Sequence, residues 1–382
     1  MKNIFRFASL LAAAVMLFAC EKIEEYGGNT IAISVNPTDI VIVSDKDVIQ
    51  SNGSDVATIR VMLGKKDVTA ESIIYDENNN VLTLNGGEFT ATADGEYKFW
   101  AEYGTYSTYD SKAGDESYFV IKAIPVSVPE SVEDSHVGKK SFVHRAFLTQ
   151  YTGIGCGYCP YMIKILKELQ ADRTIPEKAV LAAVHSYSNA DPAYIAAPKV
   201  NNYPFLNVDL VDGFSHSAGA SALSNIVNNR ILSSANAGIS VNPMYYKDEG
   251  LLVVKVAVKA ASSGTFNVGA WLLEDEIYGQ QTDYDGIKKT DPENDYDTHE
   301  SCVRVADSKY KNTWIGPLLG DMEPGDVLEK TFVMKVKKTW KPENLHLAVF
   351  ASYGIKKGDK IHYYVCNVVD APIDAPTPFE YK

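Results

Sequence analysis

The sequence Leu148-Thr149-Gln150-Tyr151-Thr152-Gly153-Ile154-Gly155-Cys156-Gly157-Tyr158-Cys159-Pro160 sets two cysteines three residues apart where a β-leaning run gives way to a helical one. The β-leaning run covers residues 142–151. Three glycines loosen the turn that follows, and Tyr161-Met162-Ile163-Lys164-Ile165-Leu166-Lys167-Glu168-Leu169 continues as a helix. A cysteine at a helix start meets the unpaired N–H groups of the first turn and the positive end of the helix dipole. Both stabilise a thiolate and lower the thiol pKa. A second cysteine one turn on can close a small disulfide. Cys156 is then the candidate attacking sulfur and Cys159 the candidate resolving one.

Three readings of the pair stay open at this point. It can be a redox centre, a plain structural disulfide, or half of a zinc site. The last lacks the second Cys-x-x-Cys or His pair that a tetrahedral site needs. The order strand, Cys-x-x-Cys, helix resembles the layout of thioredoxins.

With 382 residues the chain is too long for one core and predicts two or three domains. Its hydrophobic content of 46% and charged content of 22% are those of a globular protein. The net charge of −13, with no clustered basic surface, argues against nucleic acid or anionic lipid as a partner.

The amino terminus has a basic start (Lys2, Arg6), a short apolar run over residues 7–19, and Leu17-Phe18-Ala19-Cys20. The run is too short to span a bilayer and has the form of a secretory signal. The last four residues resemble a bacterial lipobox, which implies acylation of Cys20 and an anchor at a membrane surface. The expected signal peptide is 1–19, followed by an acidic tether over 20–30. Outside the cytoplasm disulfides persist, and the four other cysteines, Cys156, Cys159, Cys302 and Cys366, suit two pairs.

Residues 31–128 alternate short apolar runs, such as Ile40-Val41-Ile42-Val43, with turn signals such as Asn85-Gly86-Gly87. About seven strands in this span predict an immunoglobulin-like β-sandwich. Residues 129–139 read as a linker and 140–236 as the thioredoxin-like domain. Within it Ala179-Val180-Leu181-Ala182-Ala183-Val184-His185 predicts a buried parallel strand ending on His185. His185 is a candidate to tune the thiolate or move a proton. The loop over 186–199 stands where substrate access is shaped.

Residues 237–382 predict a C-terminal β-sandwich, with strands near 251–260, 265–273, 327–336, 345–352 and 361–369 and no sizeable helix. Cys302 and Cys366 fall in presumed strands there and are candidates for a structural disulfide worth roughly 4 to 5 kcal/mol. The aspartates of loop 282–299 do not have EF-hand spacing, so a solvated loop is expected and no metal site.

The Tyr151-Thr152-Gly153 and Cys156-Gly157-Tyr158-Cys159-Pro160 block, the Ala183-Val184-His185 strand end, Tyr203-Pro204, His299-Glu300-Ser301-Cys302-Val303-Arg304, and Trp340-Lys341-Pro342-Glu343-Asn344-Leu345 leading to Cys366-Asn367 resemble the outer membrane protein 28-related lipoproteins of Gram-negative anaerobes. That resemblance covers roughly residues 140–377. It implies a thioredoxin-like domain on an outer-membrane lipoprotein, at the periplasmic face or the cell surface, and Pro204 as the cis proline facing the cysteine pair.

Two departures from working thioredoxins stand out. Gln150 replaces the buried acid six residues before the first cysteine, so the proton of Cys159 needs another base, such as His185 or water. Gly155 replaces the tryptophan before Cys156, which predicts a more open site.

The expected fold is thus multidomain, α/β plus all-β, with a central thioredoxin-like domain between two sandwiches. The expected activity is thiol–disulfide exchange on exported or surface proteins through Cys156 and Cys159, with Pro204 and His185 assisting. No small-molecule cofactor is needed, because the cysteine pair is itself the redox centre. The competing expectation is a non-enzymatic surface protein in which the disulfide only braces a scaffold. Burial of the Cys156 sulfur under loop 186–199 or under the C-terminal region favours the second.

Overall fold

A computed structural model describes residues 30–32, 39–198, 200–309, 313–358 and 360–382. The expected signal peptide, Cys20 and nearly all of the acidic tether lie outside the described residues. The described chain is rich in β-structure with few helices. It divides into two compact units, one formed mainly by residues 33–130 and the other by most of the chain from residue 131 on together with its described start. That start is β1 (Thr30–Ala32), which pairs with the last strand of the larger unit.

The smaller unit holds β2 (Ile40–Ser44), β3 (Val48–Gln50), β4 (Ala57–Leu63), β5 (Lys66–Asp67), β6 (Ile73–Asp76), β7 (Val81–Leu82), β8 (Glu88–Phe89), β9 (Gly95–Tyr103), β10 (Tyr106–Ser107) and β11 (Phe119–Ile124). One sheet runs β3-β11-β9-β6-β7 with β10 on β9. The other runs β2-β4-β5 with β8 on β4. The alternation that predicted strands is what builds the core, since successive side chains leave opposite faces. Ile40 and Ile42 point in while Val41 and Val43 point out. Ile59, Val61, Ile74, Phe99 and Ile121, drawn from both sheets, meet in one apolar cluster.

The larger unit is built on β12 (Ala146–Thr152), α1 (Cys159–Ala171), the short turn α2 (Thr174–Glu177), β13 (Ala179–His185), β14 (Phe205–Val208), β15 (Asp212–Phe214) and α3 (Ala220–Arg230). Every residue of β12 and β13 is buried, as suits a parallel pair covered on both faces. Leu148 and Leu181 face α1, where Met162, Leu166 and Leu169 pack with Leu206 and the α3 residues Leu223 and Val227. Each such side chain, fully removed from water, contributes about 1.5–3 kcal/mol. On the other face Phe147 lies against Trp271 and Phe350 at ring-centroid distances of 5.2 and 5.0 Å.

The chain continues through β16 (Ala237–Tyr246), β17 (Leu251–Ala260), β18 (Gly264–Glu274), β19 (Ile277–Tyr278), the single turn α4 (Ile287–Thr290), β20 (Thr298–His299), β21 (Cys302–Asp307), β22 (Leu318–Met322), β23 (Val327–Lys335), β24 (Leu345–Lys357) and β25 (Lys360–Pro372). The sequence reading separates residues 140–236 from 237–382, but one sheet runs through both: β1-β25-β24-β18-β21-β13-β12-β14-β15, with β22 on β18. The join is at β13, whose outer edge is taken in parallel by β21, Ala183 opposite Cys302, and Ala183 N–H donates to Ser301 O at 2.8 Å. An edge of a buried parallel sheet left bare would expose unpaired backbone groups. Strands β16, β17 and β23 form a separate three-stranded sheet.

This topology overturns the proposed Cys302–Cys366 bond. Cys302 opens β21 and Cys366 lies in β25, with β18 and β24 between them. Three strand spacings put them roughly 14 Å apart, far beyond disulfide reach. Both are free, buried thiols.

Candidate functional site, a covered disulfide turn

Strand β12 ends at Thr152, and the turn that follows is held by Cys156 N–H donating to Gly153 O at 3.0 Å and Cys159 N–H donating to Cys156 O at 3.1 Å. Helix α1 begins at Cys159 with Pro160 in its first turn, where the missing N–H costs no helical bond. Cys156 and Cys159 are joined as a disulfide, their Cα atoms 5.4 Å apart. Cys156 is only 2% exposed and Cys159 fully buried.

Two segments bury the turn. From the region after β19, the side-chain amide of Gln281 donates to Cys156 O at 2.8 Å and lies 3.3 Å from the carbonyls of Gly153 and Ile154. Thr282 N–H donates to Ile154 O at 2.8 Å, and Tyr284 N–H to Gly157 O at 3.0 Å. The Tyr284 ring lies directly on Gly157, where an added Cβ would sit 2.4 Å from it. From loop 186–199, Tyr187 closes the other side. A Cβ at Gly153 would meet its Cβ at 2.7 Å and one at Gly155 its ring at 3.3 Å. The glycines therefore make room for a cover. The more open site expected from Gly155 is not found, because the Tyr187 ring occupies that space.

The acids of loop 282–299 do more than face solvent. Asp283 accepts from the N–H groups of Ile287 and Lys288, both at 3.0 Å. Asp285 accepts from Tyr161 OH on α1 at 3.0 Å. Asp297 accepts from Gln281 N–H at 2.8 Å and pairs with Lys288 at 2.5 Å. These bonds fasten the loop in the shape that carries Gln281 and Tyr284 over the turn.

His185 ends β13 as expected, but both of its ring nitrogens are engaged away from the cysteine pair. Its Nδ1–H donates to Asp191 Oδ2 at 2.9 Å, and Nε2 faces Cys302 Sγ at 3.5 Å. It therefore does not stand as the base for Cys159. Asp191 also accepts from Ile154 N–H at 2.7 Å and Ala193 N–H at 2.8 Å. Burial pushes the Asp191 carboxyl up, but its bond and charge interaction with His185 and these backbone donors outweigh that and hold it below the usual carboxylate range. His299 lies edge-on to His185 at 4.9 Å, and its pKa is lowered, first by burial and then by that neighbour. Burial drives the Cys302 thiol pKa well up.

Pro204 is buried and follows a cis peptide bond from Tyr203. Tyr203 packs edge-on to Tyr187 at 5.2 Å, so the Tyr203-Pro204 step adjoins the cover. Sequence reasoning missed Gln281, Tyr284, Tyr187 and Asp191. Their traces were the loop over 186–199, read as shaping access, and the three glycines at 153, 155 and 157, read as loosening rather than as room.

No family model matches the chain, and no curated protein matches it. A solved structure of HBP35 of Porphyromonas gingivalis is similar, with 16% identity and a TM-score of 0.49, covering 63% of this chain and 78% of that one. A likeness that slight does not bear on activity.

Proposed function

We propose that this chain is a lipid-anchored, non-enzymatic protein of the cell envelope, with a binding or structural role, whose thioredoxin-like core keeps Cys156–Cys159 as a closed brace. The burial of Cys156 beneath Tyr187, Gln281 and Tyr284 carries the reading, because disulfide exchange needs in-line access of a thiolate to one of the sulfurs. The thioredoxin-like assignment is supported by the succession β12, Cys-x-x-Cys, α1, parallel β13, antiparallel β14 and β15, then α3. Envelope location and anchoring are supported by the signal and Cys20 pattern in the sequence. A protein of this kind takes no cofactor, and the membrane is its first partner.

Reduction of the native chain by dithiothreitol tests the brace. The pair is expected to open far more slowly in the native chain than in urea. Equal rates in the two states would contradict it. One observation favours the second reading, thiol–disulfide exchange on exported proteins: Tyr187 and Tyr284 are themselves 47% and 65% exposed, so the two lids lie at the surface. In that reading Cys156 attacks, Cys159 resolves and Pro204 lines the peptide groove, and fast native reduction is its signature.

A further inference from the structure

Outside the disulfide, one face of the sheet gathers a second sulfur site. Gln150, Thr152, Ala183, His185 and Cys302 share a face, because Gln150 pairs with Ala183, Thr152 with His185, and Ala183 with Cys302. That face is otherwise apolar under α1. The polar exceptions meet at a thiol, an imidazole and a carboxylate in line: Cys302 Sγ 3.5 Å from His185 Nε2, and His185 Nδ1 2.9 Å from Asp191. The Glu300 carbonyl is a longer second acceptor for the thiol at 3.8 Å. All three side chains are almost wholly buried.

At the His185 end of this row lies a cavity of about 40 Å³, lined by His185 and by Ala183, the strand partner of Cys302, on the sheet, by Leu166 and Lys167 on α1, and by His299 and Glu300. That volume holds roughly one or two water-sized molecules. Gln150 and Thr152 also line it, and their Nε2 and Oγ1 atoms are each buried without a hydrogen-bond partner among the described residues. A buried donor left unmade is costly, so such a pair points to a small polar occupant.

We propose that Cys302 is a peroxide-reactive thiol, with His185 as its base and Asp191 as the positioning residue, hydrogen peroxide entering by the cavity beside His185 while the complete burial of the sulfur keeps larger reagents out. As the Sγ–O bond forms and the O–O bond breaks, sulfur gives up an electron pair to the peroxide. The thiol proton passes to His185 Nε2 and on to the departing hydroxide. The products are a sulfenic acid on Cys302 and one water. At rest the buried sulfur is the neutral thiol, so the proton transfer accompanies bond formation. Asp191 holds Nδ1–H, which leaves Nε2 as the accepting nitrogen.

Cys366 is the internal control. It is equally buried and free in the same sheet, and no imidazole faces it among the described contacts. The full chain is treated with hydrogen peroxide at neutral pH, and peptide masses are read for one added oxygen at each cysteine. Cys302 is expected to react at least about ten-fold faster than Cys366. His185→Gln should bring the two rates together, and iodoacetamide should alkylate neither thiol in the native chain. Equal oxidation of Cys302 and Cys366 in the wild-type chain, or ready alkylation of native Cys302 by iodoacetamide, would overturn the proposal. The wild-type ratio decides whether or not the variant folds.

Discussion

At the scale of single residues, the disulfide turn depends on side chains that carry no motif. Gln281 Nε2 spans the carbonyls of Gly153, Ile154 and Cys156, adding a buried side-chain donor to oxygens that already accept backbone N–H groups from Cys156, Thr282 and Cys159. Gln281→Ala is therefore expected to cost about 1–2 kcal/mol in chemical denaturation and to speed reduction of Cys156–Cys159. An unchanged reduction rate would show that Gln281 does not hold the cover. Gly157→Ala attacks the same cover from below. Its methyl must displace the Tyr284 ring, and a loss of about 1–3 kcal/mol is expected. The cysteines themselves were readable because a Cys-x-x-Cys at a helix start has a local physical cause. Their burial was not, since Gln281 and Tyr284 lie more than a hundred residues away in sequence and nothing in either residue type announces a lid.

At the scale of elements, the joined sheet is clasped at one end by His346 on β24. Its Nδ1 lies 2.6 Å from Asp370 on β25 and its Nε2 3.4 Å from Asp275 just past β18. Asp275 in turn accepts from Ser301 N–H at 2.7 Å, next to β21. Burial works to lower the His346 pKa, but the two carboxylates overcome it and raise the pKa to about 9. A raised folded-state pKa adds stability that is full below the unfolded value of about 6.5 and is lost as pH climbs through about 9. Because both aspartates are partly open to solvent, the effect should be on the order of 1 kcal/mol. Wild type is expected to lose more stability than His346→Gln between those pH values. Parallel curves would remove the clasp. Further along the same sheet, Phe147→Ala empties the contact with Trp271 and Phe350 and should cost about 3–5 kcal/mol, and a loss under about 1 kcal/mol would contradict that packing. The strands were legible from their patterns. The run read over 251–260 is β17 itself, and those near 327–336, 345–352 and 361–369 are β23, β24 and β25 with shifted ends. Which strand pairs with which was not, because the pairing of β21 with β13 is a choice between distant edges, and alternation within a strand says nothing of its neighbour.

At the scale of the whole molecule, the described chain is two units in which one sheet absorbs both the Cys-x-x-Cys core and the C-terminal strands. That continuity places residues 277–284 where they roof the disulfide turn, which two independent domains joined by a linker would not do. The lipoprotein reading has its own test: Cys20→Ala should abolish fatty-acid labelling of the expressed chain and release it from membranes, and retained labelling would contradict it. The central claim is that Cys156–Cys159 is a brace held shut by its cover. Glutathione titration of the folded chain measures this most directly. A reduction potential below about −300 mV is predicted, as for structural disulfides, whereas a value between about −270 and −120 mV, the range of proteins that exchange disulfides, would contradict it.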